Sequence, residues 1–209
     1  MSMGAGTMSF VAFLGAWVAM MAAMMLPAVL PVVRLYGRAA ARGTVAPVVV
    51  FGAGYLLVWA AVGVPAFLAW DALRAPLADG SPWAGRVAGT VAVVAAGYQL
   101  TPLKALCLRH CRSPLAFFLQ HAKNLARPSG AIVAGTRHGL YCLGCCWLLM
   151  ATLIAFGAMH LGLMVALAVL ILLEKDAPFG ERLAQLAGVV FLVVGVVLVL
   201  HPSFIGYLT

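Results

Sequence analysis

The sequence predicts an all-α integral membrane protein, a polytopic bundle of about six transmembrane helices. Of its 209 residues, 65% are hydrophobic and 9% are charged, whereas soluble domains contain about 45–50% apolar and about 25% charged residues. The apolar residues form long runs without charged side chains, and about 20 such residues cross a bilayer as a helix. This composition excludes a water-soluble globular domain, a disordered chain and a nucleic-acid-binding domain.

The apolar runs divide one membrane domain, residues 1–209, into its predicted spans. Charged residues interrupt the runs after residues 33, 70 and 103, but residues 140–173 contain none. As a helix of ~1.5 Å per residue that last run is ~51 Å long, more than one crossing, so we expect a hairpin that turns at 157–162. The predicted spans are 8–33, 45–70, 87–103, 140–157, 161–173 and 184–200.

The basic residues predict the orientation of the chain. The sequence has 13 Lys and Arg against 5 Asp and Glu, a net charge of +8. With the N-terminus outside, Arg74 and Arg86 lie in outer loops, and every other Lys and Arg lies on the cytoplasmic side. Cytoplasmic loops are typically rich in these residues, so both termini are predicted to be extracytoplasmic.

A short amphipathic helix is predicted on the cytoplasmic face, at about residues 115–126. Leu115, Phe118, Leu119 and Ala122 recur at helical spacing in this basic segment, and polar side chains lie mostly opposite them. Amphipathic helices of this kind typically lie in the membrane interface, with the apolar face toward the lipid.

The cysteines have helical spacing and form two groups: Cys107 with Cys111, and Cys142 with Cys145 and Cys146. His138 precedes Cys142 by four residues and extends the same helix face. Both groups are predicted at the cytoplasmic ends of their spans, at one depth. Thiolate and imidazole bind Zn²⁺, Cu(I) or an iron–sulfur cluster, so the sequence predicts a metal site between helices. Packing as small apolar side chains is the alternative for each cysteine.

A methionine run lies in the first span: Met20, Met21, Met24 and Met25. Methionine also serves as an ordinary packing residue in membrane helices, which is the alternative to a ligand role. Thioether sulfur favours Cu(I) and discriminates against Zn²⁺. Methionines and cysteines together therefore favour copper as the bound metal, with zinc as the alternative.

Four polar residues near predicted span ends are further functional candidates. Glu174 and Lys175 follow a short fifth span and are expected below the level of the headgroups, with an interfacial ion pair as the alternative. Gln99 and Lys104 lie at the polar end of the third span, where Gln99 is expected to hydrogen-bond across helices. Ionisable groups inside a bilayer are rare and usually functional.

Four sequence blocks resemble a family of bacterial integral membrane proteins described as predicted metal-binding. The blocks begin at Trp17, Gly97, His138 and Glu174 and read WVAMMAAMMLP, GYQLTPLKALCLRHCR, HGLYCLGCCW and EK. The resemblance implies a bacterial inner (plasma) membrane location and a link to copper supply for tyrosinase-type copper oxidases. It also implies a role for the cysteines, methionines, histidine, glutamate and lysine in these blocks. The sequence departs from the family at His160, where asparagine is expected.

The favoured hypothesis is a membrane protein that binds Cu(I) at a Cys/His/Met site and delivers it to a cuproenzyme or a membrane-complex partner. No catalytic residue is assigned, and a carrier is favoured over an enzyme. The alternatives are a membrane thiol–disulfide or metal-dependent oxidoreductase and a non-catalytic structural subunit of a membrane complex. The lipid bilayer is an expected partner, whereas nucleic acid is not, and the sequence contains no nucleotide-binding loop.

Overall fold

The structure, a computed structural model, describes residues 9–40, 46–112, 127–157 and 161–207, and all regular elements in these ranges are helical. The α-helices are α1 (Phe10–Ala40), α2 (Ala46–Ala78), α3 (Pro82–Gln99), α4 (Pro102–Arg112), α5 (Pro128–Ala155), α6 (Leu161–Asp176) and α7 (Gly180–Leu200). A 3-10 helix, Pro202–Tyr207, follows α7. The all-α prediction is confirmed. The amphipathic helix predicted at 115–126 and the departure at His160 lie outside the described residues.

Several of these helices are long and apolar enough to cross a bilayer. Among the described residues, four pass this test: Phe10–Arg34, Val48–Ala78, Pro128–Ala155 and Gly180–Leu200. The helices α3 and α4 pass it together but meet at 68°, so they provide a fifth crossing if they form one broken span. Helix α6 has 16 residues, fewer than the about 20 of a typical crossing. The sixth crossing stays a prediction.

The break between α3 and α4 follows from local sequence. The backbone N–H groups of Leu100 and Thr101 turn back to the carbonyls of Gly97 and Tyr98 and close the end of α3. Pro102 then starts α4, where its missing N–H is tolerated. The Thr101 hydroxyl accepts a hydrogen bond from the Lys104 backbone N–H at 3.3 Å, as an N-cap does. The predicted third span, 87–103, therefore covers most of α3, the break and the start of α4.

Glycines allow two pairs of helices to approach backbone to backbone. Helix α3 packs along α7, where a Cβ on Gly89 would lie 2.8 Å from the Gly195 carbonyl oxygen, and a Cβ on Gly195 equally close to the Gly89 oxygen. Helix α2 packs along α5, where a Cβ on Gly135 would overlap the Phe51 carbonyl. Small residues at such crossings are typical of membrane helix packing. The seam with α2 holds α5 in place, and α5 carries most of the site described below.

The molecule exposes large apolar side chains and buries a small group of polar and ionisable ones. Large side chains on the outer faces of α2 and α7 are exposed, among them Leu57, Leu68, Leu186, Val189 and Val193. Among the described residues, the buried polar and charged side chains are Gln99, Lys104, His138, Thr152, Glu174 and Lys175. This distribution suits a chain whose surroundings are lipid, because intramembrane ionisable groups face the interior of a bundle.

Candidate metal centre

Five helices bring sulfur and polar side chains to one place inside the bundle. Helix α4 contributes Cys111, and α5 contributes Cys142, Cys145 and Cys146, so that two helices supply what we call the thiol group. All four of its side chains are buried. The surrounding residues come from α1, α2 and α6: Met25, Tyr55 and Lys175.

The closest thiols from different helices are Cys111 and Cys145. Their Sγ atoms are 4.0 Å apart. With a metal–thiolate bond of ~2.3 Å, two sulfurs on one ion lie ~3.8 Å apart at a tetrahedral angle and ~4.6 Å apart in a linear arrangement. The observed distance falls between these values, so both sulfurs can reach one ion without movement of either helix.

Cys142 lies at the centre of the thiol group. Its Sγ is 2.9 Å from the Tyr55 hydroxyl and 2.9 Å from the Lys175 ammonium, which donates to it. Its backbone carbonyl oxygen accepts hydrogen bonds from the thiols of Cys145 at 3.1 Å and Cys146 at 2.9 Å. The helical spacing of three and four residues therefore directs both later thiols to the same turn of α5.

The methionine run is spread around α1. Met25 reaches the site, with its Sδ 4.0 Å from the Lys175 ammonium. Met21 and Met24 are also buried within the apolar core, and Met20 is half-buried against it. On a helix Met21 lies one turn before Met25 on the same face, and Met24 points about 100° away from it.

The two remaining sulfur and imidazole candidates flank the thiol group. Cys107 is half-buried one turn before Cys111 and faces Gly144, where an added Cβ would lie 2.7 Å from its Sγ. His138 is buried one turn before Cys142, and its ring centroid is 6.1 Å from those of Phe51 and Tyr55. Both residues lie on the predicted helix faces, at the edge of the site.

The four polar candidates separate into two contacts at the end of α6. The Glu174 carboxylate accepts hydrogen bonds from the Lys104 ammonium at 2.7 Å and from the Gln99 amide nitrogen at 3.2 Å. The Lys104 ammonium also donates a hydrogen bond to the Gln99 side-chain oxygen. Lys175, the next residue, contacts sulfur instead. The break after α3 points Lys104 inward, where it is 2% exposed, although the sequence placed it at the start of a basic segment.

The described side chains provide pairs of sulfurs rather than a closed shell of ligands. Within residues 9–40, 46–112, 127–157 and 161–207, no group of three or more His, Cys, Asp or Glu side chains is arranged to hold a metal ion. The Cys111–Cys145 pair and the neighbouring sulfurs of Cys142 and Met25 are soft donors, as Cu(I) prefers. The donor chemistry of the site therefore fits monovalent copper.

Tyr55 is a site residue that the sequence analysis did not identify. It is fully buried on α2 and bonded to the central thiol of Cys142. Its one sequence signal is a hydroxyl within an otherwise apolar span, since buried tyrosines usually need a hydrogen-bond partner. The sequence contained no indication that this partner is a cysteine 87 positions later.

Comparison with known proteins identifies a family. The model of the family PpoB2, described as copper chaperone, matches residues 14–198, which include every residue of the candidate site. No curated protein and no solved structure matches the chain. The match covers most of the 209 residues and agrees with the resemblance inferred from the sequence blocks. This chain therefore belongs to the PpoB2 family of copper chaperones.

Proposed function

We propose that this protein binds Cu(I) at the thiol group inside the membrane and delivers it to a copper-dependent enzyme. The observation that carries the proposal is the 4.0 Å distance between Cys111 on α4 and Cys145 on α5. Two thiolates at this spacing satisfy a Cu(I) ion, which accepts soft sulfur ligands. Copper is the cargo of such a protein, and no catalytic residue is needed for its transfer.

The neighbouring sulfur atoms offer Cu(I) a series of binding positions. From the Cys111–Cys145 pair the next donor is Cys142, one turn earlier on α5, and beyond the Lys175 ammonium lies the Met25 thioether. Exchange of Cu(I) between adjacent sulfurs proceeds through shared ligands and releases no free ion. Half-buried Cys107 lies closest to the surface and serves as the entry ligand, and Met21 extends the line of donors along α1.

The charge distribution supports a site near the cytoplasmic face of a bacterial inner membrane. Helix α4, which carries Cys111, ends in Arg109, His110 and Arg112. Exposed Arg109 pairs with Glu181 at 3.4 Å at the start of α7. Basic residues accumulate on the cytoplasmic side of membrane proteins. With α6 as the predicted sixth crossing, this orientation leaves both termini outside the cytoplasm, and it gives the site access to cytoplasmic copper.

The partner that we propose is a copper-dependent oxidase of the tyrosinase type, or a membrane complex that contains one. The link comes from the resemblance of the four sequence blocks and from the copper chaperone family. A host that makes such an oxidase should show low oxidase activity when this chain is deleted. Added copper should restore the activity, because the oxidase itself is intact.

Metal counting tests the binding step directly. The protein is purified without oxygen in detergent and loaded with Cu(I), and bound metals per chain are measured by elemental mass spectrometry. The wild type should hold copper near one ion per chain, and a variant with all five cysteines replaced by serine should hold none. The variant Cys145→Ser with Cys146→Ser should lose most of it. Zinc in place of copper, or no metal after loading, would overturn the proposal.

A further inference from the structure

Lys175 is a buried cation that forms no salt bridge with a described carboxylate. Its side chain is 5% exposed. Glu174, the residue before it, is engaged by Lys104, and Asp176, the residue after it, is exposed. The Lys175 ammonium instead contacts the sulfurs of Cys142 at 2.9 Å and Met25 at 4.0 Å.

A buried charge is unfavourable unless it has a partner, and intramembrane charges usually mark a functional site. The contrast with Lys104 is direct, since that lysine is equally buried but faces a carboxylate at 2.7 Å. Lys175 faces the group that binds the cargo. The arrangement suggests that its anionic partner forms at the thiol group, when thiols lose their protons on binding the metal.

We propose that Lys175 is the charge partner of the copper-loaded thiol group. The inference rests on the proposed function. When two thiols bind one Cu(I), both protons leave, and the copper–dithiolate unit carries a net charge of −1. The Lys175 ammonium carries +1, so the loaded site is neutral overall and suited to a region of low dielectric.

The same balance explains why a neutral residue would not serve. Without the ammonium, the copper–dithiolate anion would be buried with no opposite charge near it. Lys104, the other buried lysine, cannot take this role, because the Glu174 carboxylate already neutralises its ammonium. Position 175 thus contributes to cargo binding through charge alone, without bonding to the metal.

Three variants compared with the wild type test the inference. Lys175→Met keeps the length of the side chain and removes the charge, and Lys175→Arg keeps the charge. The matched control is Lys104→Met with Glu174→Gln, which removes an equally buried ion pair without changing the net charge. The dissociation constant for Cu(I) is measured anaerobically by competition with a coloured Cu(I) chelator. Lys175→Met should weaken binding at least about tenfold, whereas Lys175→Arg and the control should stay within about threefold.

A second measurement separates a charge role from a structural one. In the metal-free protein, Lys175→Met should unfold at the same temperature as the wild type or higher, because an apolar side chain replaces a charge that is costly to bury. Lower stability together with weaker binding would overturn the inference in favour of a structural role. Wild-type affinity in Lys175→Met, with the cysteines still required, would also overturn it while leaving the proposed function intact. Failure of the wild type to bind Cu(I) would overturn both.

Discussion

The thiol group and the methionine run are both sulfur clusters in the sequence, but only the thiol group draws its members from two helices. Cys111 comes from α4 and the other three thiols from one face of α5, so they converge between two helices. The methionine run lies on α1 alone, and a helix spreads consecutive side chains around its axis. Of that run, Met25 has its sulfur at Lys175. Convergence of separate helices is therefore what distinguishes the proposed copper site from the methionine run.

The largest expected effect comes from breaking the thiol pair between helices. Cys111→Ser removes one of the two sulfurs that are 4.0 Å apart and should weaken Cu(I) binding by more than about a hundredfold, beyond the loss typical of an outer-shell residue. The matched variant is Cys107→Ser, one turn earlier on the same helix and half-buried. Because an entry ligand affects the rate of loading rather than the final thiol pair, the equilibrium dissociation constant of Cys107→Ser should stay within about threefold of the wild type in the same anaerobic competition titration.

Equal losses in the two variants would show that both cysteines of α4 bind the metal together. Loss in Cys107→Ser alone would contradict the placement of the pair. Thiol counting under denaturing conditions confirms that each variant lacks one cysteine. Gel filtration in detergent confirms that the variants keep the wild-type fold and assembly.

Helical spacing predicted much of this arrangement and left a definite part out. The separations of Cys107 from Cys111 and of Cys142 from Cys145 and Cys146 predicted two shared helix faces, and both segments are helical. A sequence period describes one helix at a time. The rotation of α4 against α5, which decides that Cys111 rather than Cys107 meets Cys145, depends on packing between distant segments.

The interior position of Lys104 is a second feature that helical spacing does not predict. The sequence placed this residue at the start of a basic segment, because charge after an apolar run usually marks a loop. The Thr101 cap and Pro102 instead begin a new helix at 68° to the last one. That bend points Lys104 to Glu174. Lys104 and Glu174 are 70 positions apart in the sequence, so local patterns do not predict their contact.

An intermediate effect is expected where the methionine run touches the site. Met25→Leu conserves volume, so the fold should tolerate it, but it removes the thioether beside Lys175. Because a thioether is a weaker donor than a thiolate, Cu(I) binding should weaken only about three- to tenfold. Met24→Leu is the control, since this neighbour points about 100° away on α1. The competition titration should give it the wild-type dissociation constant.

The rate of copper release gives a second comparison between Met25→Leu and Met24→Leu. If Met25 receives the cargo after Cys142, Met25→Leu should slow the release of Cu(I) to an acceptor chelator more than it weakens equilibrium binding. A Met24→Leu protein that releases copper equally slowly would show that the whole run, rather than one residue, contacts the cargo.

The smallest expected effect comes from Tyr55, which separates support of the site from bonding to the metal. Tyr55→Phe removes the hydroxyl that lies 2.9 Å from Cys142 Sγ and keeps the buried ring. Loss of one such hydrogen bond in a membrane protein should lower the free energy of unfolding by about 1 kcal/mol or less. Copper per chain should stay unchanged, because sulfur rather than oxygen holds Cu(I). Tyr98→Phe, which removes a hydroxyl that donates to the Gly144 carbonyl on the same helix α5, is the matched control. For each variant, thermal unfolding in detergent measures stability, and elemental analysis measures copper per chain. Loss of copper in Tyr55→Phe alone would show that the Tyr55 phenol is a ligand.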